Sequence, residues 1–311
     1  MYIKVYLANM KKKTITLLGG SGFLAKYCIS ELLKNGHKVV VICRNPYLAG
    51  DLRMMGSLDQ LDICGGNILS KESIEPFIRD SDIVINLVGI LYESSGKQTF
   101  ENCHNLGVKN IAELSKKHNV QRLIHFSSIG ANVDSESKYQ KSKGLGEKNI
   151  SEIFPNSTII RPSIVFGPGD GFFSVQSKLV KMLPIIPLFG GGNNYFQCVY
   201  VKDLAQGLCK IIELEETKGQ IFEFGGPDIL SMKEIYKLIM NTLNITRLLF
   251  PMPLSLAAMM GTIMQYLPSP IITYDQVKLL RQDNIVSEKK NTLESLGIEK
   301  QSAKDLLQTF I

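Results

Sequence analysis

Apolar and polar positions in the first half of the chain switch repeatedly between two periods. Thr14 to Leu18 is a β-branched and leucine run that stops at Gly19-Gly20-Ser21-Gly22. Phe23 to Asn35 then carries Leu24, Cys28, Leu32 and Leu33 at helical spacing, and Gly36 marks the stop. Val39 to Cys43 follows as a continuous apolar run, the pattern of a parallel strand covered on both faces. Further along, Ser70 to Arg79 predicts a helix, Ile83 to Val88 a strand, Asn105 to His118 a helix and Leu123 to Ser127 a strand. Tyr139 to Ile150 and Thr158 to Arg161 predict one more helix and strand. This alternation predicts an α/β fold, a doubly wound open parallel sheet with ligands at the carboxyl ends of its strands.

The main domain is expected to span residues 14–166. Proline and glycine then become dense (Pro162, Gly167, Pro168, Gly169, Gly171), and 167–311 reads as a smaller mixed lobe. Helices are expected there at Phe173 to Met182, Lys202 to Leu214, Ser231 to Leu243 and Tyr274 to Arg281, with a short strand at Gln220 to Phe224. Val199-Tyr200-Val201 is expected to return to the main sheet, so that elements of the lobe rejoin it across 199–224. Leu248 to Tyr274 holds no charged residue, yet its prolines leave only Leu254 to Leu267 uninterrupted, 14 residues where a membrane span needs about 20. Ala257, Met260, Met264 and Leu267 share one helical face, as in a helix packed into the lobe. The same segment also suits docking on a membrane surface or a partner.

Hydrophobic residues make up 44% and charged residues 21%, which excludes a disordered, collagenous or coiled-coil chain. The net charge of +6 arises wholly within the first 150 residues. A local excess of this size suits a small anionic ligand, whereas a nucleic-acid binder carries a dense basic stripe, so no nucleic acid is expected as a partner. Cys28, Cys43, Cys64, Cys103, Cys198 and Cys209 form no C-x-x-C pair and read as reduced core residues. A cytoplasmic protein, at most peripheral on the inner face of the membrane, follows. His37, His104, His118 and His125 lack the spacing of a zinc site and read as four separate side chains, with no metal. Residues 1–13 read as an N-terminal arm without a signal-peptide cleavage site, and Met10 before Lys11-Lys12-Lys13 is an alternative start.

The loop Gly19-Gly20-Ser21-Gly22-Phe23-Leu24-Ala25 lies between a strand and a helix, the context in which a glycine cluster has meaning. Glycine lets the backbone approach a pyrophosphate, and the helix start supplies free N–H groups and partial positive charge. The order is G-x-x-G-x-x-A, with Ala25 in the helix-packing place. At the end of the second strand a carboxylate would accept the ribose 2′-OH of NAD. Here Arg44 stands there and would pair with a 2′-phosphate, so NADP(H) is favoured over NAD(H). Gly66-Asn67-Ile68 occupies the place of an adenine-edge contact, and Asn86-Leu87-Val88-Gly89 ends a strand with a small residue past which the cofactor runs.

Tyr139 and Lys143 stand at i and i+4 on one helix face. Hydride chemistry on a carbonyl needs a proton donor, and a nearby cation lowers a tyrosine pKa toward neutrality. Ser127 or Ser128, at the end of the preceding strand, would supply a hydroxyl for the substrate oxygen. A serine hydrolase is set aside, because Phe23 stands where G-x-S-x-G needs glycine, and no G-x-x-x-x-G-K-[ST] loop is present.

The glycine loop, the Y-x-x-x-K pair, Arg161-Pro162 with Phe166-Gly167-Pro168, and Tyr200-Val201-Lys202-Asp203 resemble the extended and atypical short-chain dehydrogenases/reductases from about Thr14 onward. Met55 to Leu61, Asp82 to Gly89, Ser137-Lys138-Tyr139 with Lys143 and Gly146-Glu147-Lys148, and Phe250 to Leu254 are similar to the nucleotide-binding accessory subunits of respiratory complex I and their bacterial relatives. The resemblance implies a Rossmann domain with a small C-terminal lobe. It also implies tightly held NADPH, an arginine matching Arg44, and respiratory-chain subunits as partners, with 248–274 as the docking segment. The candidate cofactor contacts are Gly19, Gly20, Ser21, Gly22, Phe23, Leu24, Arg44, Asn67, Ile68, Leu87, Val88, Gly89, Ser127, Tyr139, Lys143, Pro162, Ser163 and Ile164. Tyr139, Lys143 and Ser128 are the candidate catalytic groups. Two departures stand out: Ile129 occupies the position at which active extended members carry a hydroxyl, and Asn67 the position at which many have aspartate. Two functions are therefore open. One is a binding protein with NADP(H) as a structural ligand; the other is an NADP(H)-dependent oxidoreductase acting on a small carbonyl or quinone-related substrate.

Overall fold

Seven parallel strands carry the rest of the molecule. The structure, a computed structural model, describes residues 12–57, 59–94, 96–267, 270–287 and 291–311. Residues 1–11 of the expected arm, Leu58 and Pro268 lie outside the described residues. In chain order, β1 (Thr14–Leu18), α1 (Phe23–Lys34), β2 (Lys38–Cys43), a 3-10 segment (Pro46–Met54), β3 (Leu61–Gly65), α2 (Lys71–Arg79) and β4 (Ile83–Asn86) build the first half of the sheet. A π-helical stretch (Glu101–Leu106) continues as α3 (Gly107–Lys117) and leads to β5 (Arg122–Phe126), α4 (Lys138–Ile153) and β6 (Thr158–Pro162).

Next come β7 (Val165–Phe166), α5 (Phe173–Met182), β8 (Ile185–Phe189), β9 (Tyr195–Phe196), β10 (Val199–Tyr200), α6 (Val201–Glu213) and β11 (Ile221–Phe224). The chain closes with β12 (Leu230–Ser231), α7 (Met232–Leu243), β13 (Leu248–Met252), α8 (Leu254–Met264), α9 (Tyr274–Leu279) and α10 (Ala303–Leu306). The sheet order is β11-β6-β5-β4-β1-β2-β3, and every pairing in it is parallel. The strand order reverses between β1 and β4, which opens a crevice beyond their carboxyl ends.

Both faces of this sheet are covered, as continuous apolar strands require. On one face Cys28 and Leu32 of α1 and Leu204, Leu208 and Ile211 of α6 pack against Ile15, Leu17, Ile83 and Ile85. On the other, Ile74 and Ile78 of α2, Val108 and Ile111 of α3 and Ile150 of α4 pack on Leu18, Val84 and Leu123. A separate core, with Phe166, Phe173, Ile186, Phe196, Tyr200, Ile235 and Ile239, holds the C-terminal lobe together.

The structure differs from the sequence reading in four places. Val199–Tyr200 does not return to the main sheet: the edge beside β6 is taken by β11, so β10 pairs with β7, and Val201 already begins α6. β3 carries only a broken apolar pattern, Leu61-Asp62-Ile63, because it is a half-exposed edge strand. The helix expected from Asn105 is preceded by a π-helical turn. In α8 the inward face holds Ala257, Gly261 and Met264, so the expected stripe stops short of Leu267, which lies past the helix end and is exposed. A Cβ on Gly261 would stand 2.8 Å from the Thr273 carbonyl carbon, so α8 lies directly against the start of α9. Among the described residues no helix is long and apolar enough to cross a membrane.

Candidate functional site

The crevice is shaped by the passage of the first loop between two strands. Gly19 has φ +91°, and its N–H donates to the Ile42 carbonyl at 3.0 Å. A Cβ on Gly19 would lie 3.0 Å from Leu87 C and Val88 N, and one on Gly20 only 1.9 Å from Val41 Cγ1. Side chains at either position would fill the cradle. α1 starts after Gly22 with no side-chain cap and no acidic residue in its first turn, so its N–H groups and positive dipole end remain free for an anion.

Arg44, just past β2, is exposed and faces only a long contact, Nη1 to Gln98 Oε1 at 3.4 Å, with no carboxylate among its hydrogen-bond partners in the described residues. Asn67 Oδ1 accepts the Leu69 N–H at 3.0 Å, which turns the loop above β3, and Ile68 is buried there against Gly107. Leu87 N–H donates to the Leu18 carbonyl at 2.9 Å, and Val88 N–H to Asn86 Oδ1 at 3.0 Å. These bonds fix the Leu87-Val88-Gly89 turn opposite the glycine loop.

α4 sets Tyr139 and Lys143 one turn apart on the flank of the crevice. Lys143 is buried, with Nζ donating to the Phe126 carbonyl at 3.1 Å, and burial lowers its pKa to about 8. Gly89 leaves it room, since a Cβ there would lie 3.2 Å from Nζ. The tyrosine differs from the sequence reading: its pKa is raised rather than lowered. Burial is the larger effect, and the nearby Ser128 hydroxyl pulls the other way without overcoming it. Ser127 Oγ and Ser128 Oγ are buried with no hydrogen-bond partner among the described residues, and Ile129 beside them is buried and apolar. Ser163 is committed elsewhere, its hydroxyl donating to Asn284 Oδ1 at 2.6 Å beneath the segment that follows α9. Pro162 ends β6 by accepting the Ile129 N–H at 3.1 Å, and Ile164 accepts that of Val199 at 2.9 Å.

Two histidines that read as unrelated in the sequence lie together beside Lys143. His104 Nε2 accepts the Ile90 N–H at 3.0 Å, so Nδ1 carries the proton and donates to Ser142 Oγ at 2.9 Å; Ser142 in turn donates to the Tyr139 carbonyl at 2.7 Å. The His104 ring stacks on Phe100 and meets Tyr139 edge-on at 5.6 Å. His125 lies opposite Asn86 in the β4–β5 register. Because Asn86 Oδ1 is taken by Val88, its amide donates to His125 Nδ1 at 3.1 Å. The proton therefore sits on His125 Nε2, which is buried and unpaired among the described residues. Burial first, and then the Lys143 charge, lower His104 to about 2 and His125 to about 3. The signal available in the sequence was a polar residue at or next to the end of each of two adjacent strands, Asn86 in β4 and His125 in β5.

The residues present fit a dinucleotide: a glycine cradle closed to any Cβ, an uncapped helix start, a guanidinium beyond β2, and two unpartnered hydroxyls at the end of β5. Comparison with known proteins agrees with this geometry. The NAD dependent epimerase/dehydratase family matches residues 15–225. The chain is 32% identical over 292 residues to the mitochondrial NADH dehydrogenase (ubiquinone) 1 alpha subcomplex subunit 9 of Dictyostelium discoideum, covering 91% of this chain and 80% of that one. It is 31% identical over 288 residues to the Mus musculus protein of the same name, covering 91% and 76%. In fold it is similar to the dTDP-glucose 4,6-dehydratase of Streptomyces venezuelae solved with NAD, at a TM-score of 0.72, 16% identity and 95% coverage of each chain.

The two histidines make stability depend on pH. Both are neutral when folded and ionise at ordinary values when unfolded, so the stability they contribute is complete above pH 6.5 and is lost as pH falls toward 3; His37, also lowered by burial, acts with the same sign. His104 and His125 each add about 1.4 kcal/mol of unfolding free energy per pH unit in that window. In urea unfolding between pH 6 and 5, His125→Asn should show a slope shallower than wild type by one proton.

Proposed function

Because the chain belongs to the NAD dependent epimerase/dehydratase family and has homologues among the complex I alpha subcomplex subunits, we propose that it holds NADP(H) tightly as a structural ligand and serves the respiratory chain as a dinucleotide-binding subunit. The observation that carries this reading is the glycine passage at the β1–β4 switch point, with an uncapped helix start behind it and Arg44 beyond β2 in place of a carboxylate. The amides from Gly20 to Leu24 face the diphosphate. Arg44 takes the 2′-phosphate, Asn67 and Ile68 border the adenine, and the Leu87-Val88-Gly89 turn, Ser127 and the Pro162-Ser163-Ile164 segment border the remainder. Tyr139 and Lys143 hold the nicotinamide ribose. Such a ligand stabilises the fold by mass action without turnover.

Protein denatured after purification without added nucleotide should release a 2′-phosphorylated dinucleotide. NAD alone would remove Arg44 from its role. Arg44→Ala should weaken NADPH binding at least tenfold and leave NADH binding nearly unchanged, as read by calorimetry.

The lobe supports the partner half of this reading. Met259 (59% exposed), Ile263 (71%) and Tyr266 (84%) lie along or just beyond α8, within the uncharged stretch from Leu248 to Tyr274, and Leu248 and Phe250 of β13 add to the apolar surface. This face docks on a respiratory-chain subunit at the inner face of the membrane. Met259→Lys with Ile263→Lys should abolish cofractionation with membranes while leaving nucleotide content intact.

A second reading, an oxidoreductase, is favoured by the unpartnered Ser128 hydroxyl beside Tyr139. A bound nicotinamide would supply the hydride, and Tyr139, its proton held tightly by burial, would supply the proton. Tyr139→Phe should then abolish NADPH oxidation with carbonyl or quinone acceptors. If wild type shows no such oxidation, the structural role stands alone.

A further inference from the structure

We propose that Asp275, at the start of α9 in the C-terminal lobe, is the positioning residue of the dinucleotide site: its carboxylate fixes the axial position of the helix that carries Tyr139 and Lys143. The inference rests on the dinucleotide reading above and adds to it a residue that lies outside the crevice.

The free N–H groups at a helix start need partners. In α4 they find one from more than a hundred residues away. Asp275 Oδ1 accepts the Lys138 N–H at 2.7 Å, and Oδ2 accepts the Tyr139 N–H at 3.0 Å and the Ser137 hydroxyl at 2.8 Å. The local cap is weak by comparison, since Ser137 Oγ accepts the Gln140 N–H at 3.4 Å. A carboxylate at this end also meets the positive pole of the helix. In the same lobe segment Lys278 Nζ donates to the Glu136 carbonyl at 2.9 Å, and Gln282 Oε1 accepts from Gln140 Nε2 at 3.3 Å.

Sideways movement of α4 is already blocked. A Cβ on Gly144 would lie 2.5 Å from the Asn132 carbonyl carbon, and one on Gly146 would lie 2.2 Å from the His104 carbonyl oxygen, so backbone meets backbone on two sides. Along the helix axis the Glu147–Arg161 ion pair holds the third turn, and the Asp275 bonds hold the start, where Tyr139 stands. Tyr139 is the second residue of the helix, so its backbone is bonded directly to the carboxylate. Asp275 is in turn placed by the Thr273 cap of α9 and by the contact of Thr273 and Tyr274 with Gly261 of α8. Asp275 thereby links the apolar helix to the backbone of Tyr139.

NADPH titrated into the full chain after its copurified nucleotide has been stripped, followed by calorimetry, tests this. Failure of wild type to bind NADPH would defeat the dinucleotide reading itself. With wild-type binding established, Asp275→Asn keeps the shape but leaves at least one of the two N–H groups without an acceptor and removes the charge at the helix start. It should weaken binding about tenfold, or about 1.4 kcal/mol, and Asp275→Ala should weaken it further. Lys304→Ala, which cuts a lobe ion pair to Asp228 remote from α4, should leave affinity within twofold of wild type. In wild type, NADPH should slow hydrogen exchange of the Lys138 and Tyr139 amides several-fold, a readout that needs no variant. Wild-type affinity in both Asp275 variants, an equal loss in Lys304→Ala, or unchanged exchange at those two amides would each overturn the proposal.

Discussion

The close passage of a bare backbone between two strands governs the architecture. At Gly20 the space left by the missing Cβ is occupied by Val41 of β2, and at Gly19 the backbone of the Leu87-Val88 turn closes in from β4. The sheet can therefore keep β2 and β4 on either side of β1 with their ends at full packing density, and the first helix starts directly over the switch point. An added methyl group would have to displace a β-branched side chain or a backbone turn, and both are fixed by strand hydrogen bonds. The anion cradle is thus a by-product of tight strand packing: the same glycines that let the sheet close leave N–H groups without side chains in front of them.

Beneath the crevice the molecule buries an unusual amount of polar chemistry. Lys143, His104, His125, Ser127 and Ser128 are all buried, and only some of their polar atoms are paired within the protein. A buried ammonium with one carbonyl partner, two histidines held neutral, and two hydroxyls without acceptors all lower stability relative to an apolar core. The π-helical turn from Glu101 contributes to this arrangement by bringing His104 to the Ile90 N–H while Gly107, one residue beyond it, sits against Ile68.

Much of the main sheet was legible because most of its buried strands are short apolar runs and α2, α3 and α6 show clear stripes, whereas α4 buries Gln140, Ser142, Lys143 and Glu147 with Ile150 as its one buried large apolar side chain. The glycine loop was legible for the related reason that its place between β1 and α1 follows from the same pattern. What escaped was pairwise. β3 is an edge strand interrupted by Asp62, and β10, expected in the main sheet, pairs with β7 while β11 takes the edge beside β6. His104 and His125 looked independent because the strand register and the π-turn that bring them to one lysine leave no periodic trace. The tyrosine pKa followed from assuming that a lysine four residues on acts through its charge; in the fold Lys143 turns to the Phe126 carbonyl and burial dominates. Asp275 is farther from Tyr139 along the chain than any periodicity can reach.

The helix α4 shows how such long-range ties accumulate on one element. Its start is held by Asp275, and its third turn presents Glu147 to Arg161 of β6 in a two-pronged ion pair at 2.9 and 2.6 Å. Arg161 also faces Glu223 of β11 at 3.5 Å, and Glu223 accepts the Ser287 N–H at 2.7 Å. The Glu147 interaction outweighs burial and holds the guanidinium firmly charged. Ser163, between β6 and β7, is bonded to Asn284 of the same C-terminal segment. From α9 to Ser287 the chain therefore touches the helix of Tyr139, the end of β6 and the edge strand β11 in turn. This segment bonds three neighbouring elements, and Leu24, Tyr27 and Val165 pack against the sheet core and the lobe core alike, so the lobe is tied to the crevice by polar bonds and by apolar contacts together.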